Sequence, residues 1–149
     1  FAMIISLLFL TFFIFLIFKR IKFVLVTISC LFIGGLLTIF FMIVLRIDFN
    51  FANMISLPLL FSLGVSYPVY FLRRYIELNS VQSVVNSKTP SAIFLSAMTT
   101  ISSFSTLAVS SHQGTSSMGI LLFISLSMTI ISSMFFLPLI ISTLKISSK

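Results

Sequence analysis

The residues of this chain that can handle protons or hydrogen bonds are mostly hydroxyls, and they fall into two groups. One group surrounds a helix breaker: Gly64, Ser66, Tyr67, Pro68 and Tyr70 lie close together in an otherwise apolar run. A helical Pro68 has no N–H to give the carbonyl of Gly64, and its ring presses on that carbonyl. Polar backbone is therefore freed beside Ser66 and the two tyrosines. The other group repeats along one stretch. Ala92, Ser96, Thr99, Ser103, Thr106 and Ser110 follow at spacings of four, three, four, three and four, which aligns small and hydroxyl-bearing side chains on one helix face. Hydroxyls donate, accept and pass on hydrogen bonds without holding a charge near neutrality. Such a stripe either lines a path for protons or substrate, or allows close packing against the helix of Tyr67 or a helix outside this chain.

Charged chemistry is sparse. The chain has two carboxylates, Asp48 and Glu77, and both fall in connecting segments. An ionisable group at a membrane centre costs at least ~2.5–3.5 kcal/mol and is normally kept for use. With none inside an apolar run, these residues cannot run a carboxylate proton relay alone. His112 lies in a turn; it reads as a surface residue, with pH sensing as the other use. Cys30 is the single cysteine and reads as a small buried hydrophobe. No glycine-rich phosphate loop, paired histidine ligands or base-activated nucleophile occurs. The expectation is a protein that is not an enzyme and has no cofactor and no metal.

The elements that must position these hydroxyls follow from composition. Of 149 residues, 59% are hydrophobic and 7% charged, against roughly 25% charged in soluble domains. Lipid is the solvent that fits such a chain. Apolar runs at 1–18, 23–45, 53–72, 91–110 and 118–144 are each about long enough to cross a ~30 Å hydrocarbon core, and none alternates as a membrane barrel strand would. The reading is an all-α integral membrane protein, a five-helix transmembrane bundle forming one domain over 1–149. The net charge of +7 comes from loop residues and forms no continuous basic face, so nucleic acid is not expected as a partner.

Topology follows the basic residues. With Lys19, Arg20 and Lys22 in the cytoplasm, Arg73, Arg74, Lys88, Lys145 and Lys149 fall there too, which is eight of the nine Lys and Arg residues. The carboxy terminus is then cytoplasmic and the Arg46–Asn50 and Ser111–Ser117 turns are external. Thr89-Pro90 predicts an N-cap and a proline at the first helical position. Gly114 predicts a break between the last two helices. The 76–86 segment, with Ile76, Val81, Val84 and Val85, reads equally as a short surface helix or a solvated loop. Inside a bilayer, freed backbone groups need protein or water partners, so the Gly64–Tyr70 turn should face the bundle interior. The first residue is Phe1 and the chain is apolar from its start, which reads as the tail piece of something larger.

The motifs Asn50-Phe51-Ala52-Asn53, Leu57-Pro58-Leu59-Leu60, Gly64-Val65-Ser66-Tyr67, Ser96-Ala97-Met98-Thr99-Thr100-Ile101-Ser102-Ser103-Phe104 and Ser110-Ser111-His112-Gln113-Gly114-Thr115-Ser116-Ser117-Met118-Gly119 resemble the resistance-nodulation-division (RND) superfamily. The likeness is to its MMPL branch, and most of all to the hopanoid-associated members. It covers residues 50–138 at motif level; the first two helices match only in hydropathy and placement. The resemblance implies half of an RND/MMPL-type transmembrane domain, the carboxy-terminal block that follows a periplasmic domain. It implies proton-driven export of lipids or other hydrophobic molecules, hopanoids among them, across the bacterial inner membrane. Its implied partners are membrane lipids, the amino-terminal half with the periplasmic domains, and other copies in an oligomer. Family members carry a relay aspartate in a Gly-x-Asp-aromatic pattern. Here Ser66 takes the place of the acid, so the driving carboxylate would lie in the other half. Ser66, Tyr67, Thr99 and Thr100 become proton-relay candidates through this resemblance. Two alternatives are a non-transporting, sterol-sensing-like lipid-binding or regulatory module, and an inactive remnant.

Overall fold

A computed structural model describes residues 2–48 and 50–143, with the side chains of 2, 3 and 52–55 outside that description. Lys145 and Lys149, which the topology reading puts at the cytoplasmic end, lie beyond the described residues. The order is α1 (Ala2–Phe18), α2 (Ile21–Val44), α3 (Phe51–Gly64), α4 (Ser66–Leu78), α5 (Val81–Val85), α6 (Thr89–Ala108), α7 (Gln113–Ile131), a π-helical segment (Ser132–Phe136) and α8 (Leu137–Thr143). No strand occurs among the described residues. The chain is an all-helical membrane bundle.

Among the described residues, three helices are long and apolar enough to cross a membrane: Ile21–Val44, Thr89–Ala108 and the continuous Gln113–Thr143, while Ile4–Phe18 is a shorter apolar helix. The 31-residue rod Gln113–Thr143 is about 46 Å long at 1.5 Å per residue. It outreaches a ~30 Å core and must tilt or project. Many large apolar side chains point away from the bundle, among them Leu8, Phe12, Phe32, Phe40, Ile43 and Leu95. A surface like this suits hydrocarbon, where outward apolar groups meet lipid.

The rod α7–α8 is the hub. It packs against α2, α3 and α6, while α1 lies along α2 and α3, and α4 rests on α6. Burial of Phe23, Cys30 and Leu31 on α2, Phe71 and Leu72 on α4, and Leu121, Leu122 and Leu126 on α7 marks the core. In lipid the gain comes from close packing and hydrogen bonds between helices rather than from removing apolar surface from water.

Glycines set the closest approaches. A Cβ on Gly119 would collide with the backbone of α6 at the Ala108 nitrogen and, at 2.6 Å, the Leu107 carbonyl carbon. A Cβ on Gly64 would stand 2.8 Å from the Thr129 methyl, and one on Gly34 3.1 Å from the Thr129 Cα. Gly34, Gly64 and Thr129 thus bring α2, α3 and α7 together at one crossing.

Several expected boundaries move. Gly114 does not separate the last two helices: α7 begins at Gln113 after His112, which occupies the N-cap position. The early start is anchored by Ser116, whose hydroxyl donates to the Ala108 carbonyl at 2.7 Å. Thr89 is already the first residue of α6, with Lys88 at the N-cap position, and the Ser87 hydroxyl accepts from the Thr89 N–H at 3.2 Å. The helix through Arg73 and Arg74 runs on to Leu78 and stops at Asn79, in left-handed backbone with φ 55°. Asparagine tolerates that conformation better than most residues. Only Val81–Val85 forms a separate short helix, with the Ser80 hydroxyl accepting from the Ser83 N–H at 3.4 Å.

Candidate functional site

The interruption between α3 and α4 is slight. Val65 keeps helical backbone angles, φ −63° and ψ −25°, and hydrogen bonds bracket it: the Val65 N–H donates to Phe61 and the Val69 N–H to Val65, both at 3.2 Å. The disturbance centres on the donor that Pro68 lacks. Gly64 and Pro68 are both buried, so the break does face protein. Gly64 has a second reason to be glycine, the Thr129 methyl packed against it.

Tyr67 is the most constrained polar residue here. It is 2% exposed and its hydroxyl is enclosed without a hydrogen-bond partner of good geometry, although the Thr100 hydroxyl lies beside it. Thr100 is half-buried and donates to the Ser96 carbonyl at 3.0 Å; Thr99, exposed on the same helix, donates to that carbonyl at 2.8 Å. The structure therefore brings Tyr67 and Thr100 together across α4 and α6. Ser66 points elsewhere. Its hydroxyl donates to Leu63 at 2.8 Å, and it lines a groove beneath α1.

Tyr70 corrects one expectation. It is 61% exposed and does not face the interior of this bundle. Tyr67, Pro68, Phe71, Leu72 and Tyr75 form the buried face of α4, and at 100° per residue Tyr70 falls well outside that arc.

The α6 stripe also faces away. Ala92, Ser96, Thr99, Ser103 and Thr106 are exposed and Ser110 is half-buried, whereas Ile93, Ala97 and Ile101 turn inward. Ala92 and Ser96 border an open cleft beside the helix of Tyr67, whereas Thr99, Ser103 and Thr106 are exposed. The stripe's hydroxyls are satisfied within their own helix: Ser103 donates to Thr99 at 2.9 Å and Thr106 to Ser103 at 2.7 Å. Back-bonding of this kind needs no neighbouring helix.

A second polar region lies inside the bundle. Thr27, Thr38, Ser56, Ser125, Thr129, Ser132 and Ser133 are all buried. Around Cys30 the seam is tight. The Ser132 hydroxyl donates to the Cys30 carbonyl at 2.8 Å, and the Cys30 sulfur lies 3.4 Å from Ser132 Oγ and 3.6 Å from Ser133 Oγ. These serines open the π segment, where the Leu137 N–H reaches back to the Ser132 carbonyl. Pro138 has no N–H for the Met134 carbonyl and would press on it in a regular helix; the wider turn relieves that contact. Spacing along Ser125, Thr129 and Ser132 could have flagged this seam, but the partner across the bundle is far away in sequence.

At the far end, the Asn50 side-chain amide donates to Ser117 Oγ at 3.0 Å. Asn50 also shares a polar depression with Ser110, Gly114 and Ser116. Two separated stretches of the family-like motif therefore meet at that end.

An apolar helical bundle with one interrupted helix and enclosed hydroxyls defines a polytopic membrane protein. Known proteins sharpen this. The chain is 37% identical over 122 residues to "Hopanoid transporter HpnN" of Burkholderia multivorans, covering 82% of this chain and 14% of the relative. It is 38% identical over 122 residues to "Hopanoid transporter HpnN" of Rhodopseudomonas palustris, covering 80% and 14%. The likeness to hopanoid-associated members read from the motifs is thereby supported by sequence alignment over most of the chain. The chain spans about 14% of the length of the curated relatives it matches. No family model matches it.

Proposed function

We propose that this chain is the five-span transmembrane part of a proton-driven exporter of lipids, with hopanoids as a fitting cargo, and that Tyr67 and Thr100 receive and pass on hydrogen bonds from an acid on the companion half. The observation that carries this reading is the Tyr67 hydroxyl, enclosed without a well-formed hydrogen bond beside the Thr100 hydroxyl. An unsatisfied buried hydroxyl costs about 1–3 kcal/mol, and a carboxyl or water reaching in from a partner would satisfy it. The relatives are named as transporters, which favours transport over a non-transporting lipid-binding module.

In this reading the bundle sits in the bacterial inner membrane with its carboxy terminus in the cytoplasm, opposite an amino-terminal half, with periplasmic domains that carry the lipid. The outward row of Thr99, Ser103 and Thr106 faces that half. Proton movement between the halves rocks one against the other. Ser66 and Thr99 act at the edges of the relay, and Tyr67 and Thr100 at its centre.

The test is proton-coupled lipid transfer by the whole transporter in proteoliposomes. Tyr67→Phe and Thr100→Val are expected to slow it at least tenfold while lipid binding persists. Wild-type coupling in the double variant removes both residues from the relay.

A further inference from the structure

A groove at the Arg73–Arg74 end of the bundle plays no part in that relay. It is an open cleft of about 580 Å³ between α4 and α6, in which Arg73, Arg74 and Glu77 face Lys88, Thr89 and Ser96. Arg74 is engaged with Glu77 at 2.7 Å, the one carboxylate in the lining. That leaves the charges of Arg73 and Lys88 uncompensated in the cleft, on exposed side chains. Between them the wall is small or apolar, with Ala92 and Ile93, so a tetrahedral anion has room.

Tyr70 lines this cleft and also a second one of about 590 Å³ under α1, whose other walls include Phe9, Phe13, Ile17, Val65 and Val69. The basic cleft and the apolar cleft meet at Tyr70. Its outward ring and hydroxyl suit the boundary between headgroup and hydrocarbon, where tyrosines concentrate. Arg73 lies three residues further along α4, about 4.5 Å along the axis, which is the step from acyl carbonyl to phosphate.

We infer that these two clefts hold one anionic membrane phospholipid, its phosphate between Arg73 and Lys88 and an acyl chain running past Tyr70 along α1. A free phosphate would use the basic cleft and leave the apolar one idle. An acidic protein segment would do the same. A two-part amphiphile accounts for both, and basic pockets between membrane helices are a known way of holding anionic headgroups. The inference rests on the bundle lying in a membrane, not on proton-driven export; only the name of the leaflet, cytoplasmic, depends on the proposed topology. The bound lipid is a fixed companion of the α4–α6 contact and is distinct from any cargo.

The experiment is native mass spectrometry of the detergent-purified protein with dioleoylphosphatidylglycerol, dioleoylphosphatidylcholine or inorganic phosphate as probe. Phosphatidylglycerol is expected to be retained about tenfold or more over phosphatidylcholine, since each basic residue near a headgroup contributes a several-fold preference. Arg73→Gln with Lys88→Gln should erase that preference. Arg46→Gln, at the opposite end, should leave it intact. Ala92→Phe, which fills the cleft without changing charge, should lower phosphatidylglycerol retention and guards against a misfolded charge variant. Equal retention of the two lipids overturns the inference. So does an equal loss in Arg46→Gln, or displacement of phosphatidylglycerol by millimolar phosphate. Because no transport is measured, a failure here is separable from a failure of the export reading.

Discussion

Two hydroxyl-rich regions of this bundle share a sequence pattern and have opposite fates. Along α7 and the π segment, Ser125, Thr129, Ser132 and Ser133 are sealed against α2 and α3. Along α6, Ser96, Thr99, Ser103 and Thr106 point outward. Both sets satisfy themselves largely by bonding back to their own helix: Thr129 to Ser125 at 2.7 Å inside, and Ser103 to Thr99 at 2.9 Å outside. The difference lies in what surrounds them. Inside, glycines on neighbouring helices meet Thr129 at packing distance. Outside, no helix of the described residues covers the stripe. Hydroxyl periodicity therefore marks a face capable of close contact, and glycine on the facing helix marks where the contact is made.

The largest effect is expected at Gly119, where α7 meets the α6 backbone with no slack. Gly119→Ala drives a Cβ into the α6 backbone and should destabilise the bundle by about 3 kcal/mol or prevent folding, read as a fall in the unfolding midpoint in detergent. Gly64→Ala meets only the Thr129 methyl, so about 1–2 kcal/mol is expected. Thr129→Ser in the same background should restore most of it, whereas Gly35→Ala, with nothing within 4 Å, should be close to neutral. Tyr67→Phe removes a buried hydroxyl that lacks a well-formed hydrogen bond and is expected to change the stability of the isolated bundle by no more than about 1 kcal/mol, even as it slows transport in the whole protein. The smallest effect belongs to the outer face: Thr99→Val with Ser103→Ala should change bundle stability by less than about 0.5 kcal/mol. A large loss there would mean that the stripe is already covered in the isolated chain.

Much of this was legible in the residues. Apolar runs between basic clusters locate the helices, and the Pro68 break with buried Tyr67 beside it follows from proline chemistry. Tyr70 was not legible from proximity to the break, because it lies about 60° from Tyr67 on the side away from Phe71, Leu72 and Tyr75. The orientation of the α6 stripe was not legible either. A row of hydroxyls reads alike whether protein or something else lies opposite, and Ile93, Ala97 and Ile101 on the other side are no more apolar than a lipid-facing row. Gly114 looks like a break because glycine is a poor helix former, yet in the first turn, tied down through Ser116, that weakness matters little. The Cys30–Ser132 contact joins residues 102 positions apart, beyond what local spacing encodes.

A π turn is the footprint of a single surplus residue in a helix. Across Ser132–Phe136 the rod carries one residue more than a regular helix would need, so Leu137 and Ile141 reach the core in a phase shifted from that of α7. Removing Phe135 together with Pro138→Ala should let the coil close into an unbroken α-helix with both ends still facing as they do. The same excision a turn earlier would swing everything downstream by about 100°. Length here is thus a tolerance built into the chain, and the Cys30 serines sit at its only elastic point along Gln113–Thr143 among the described residues.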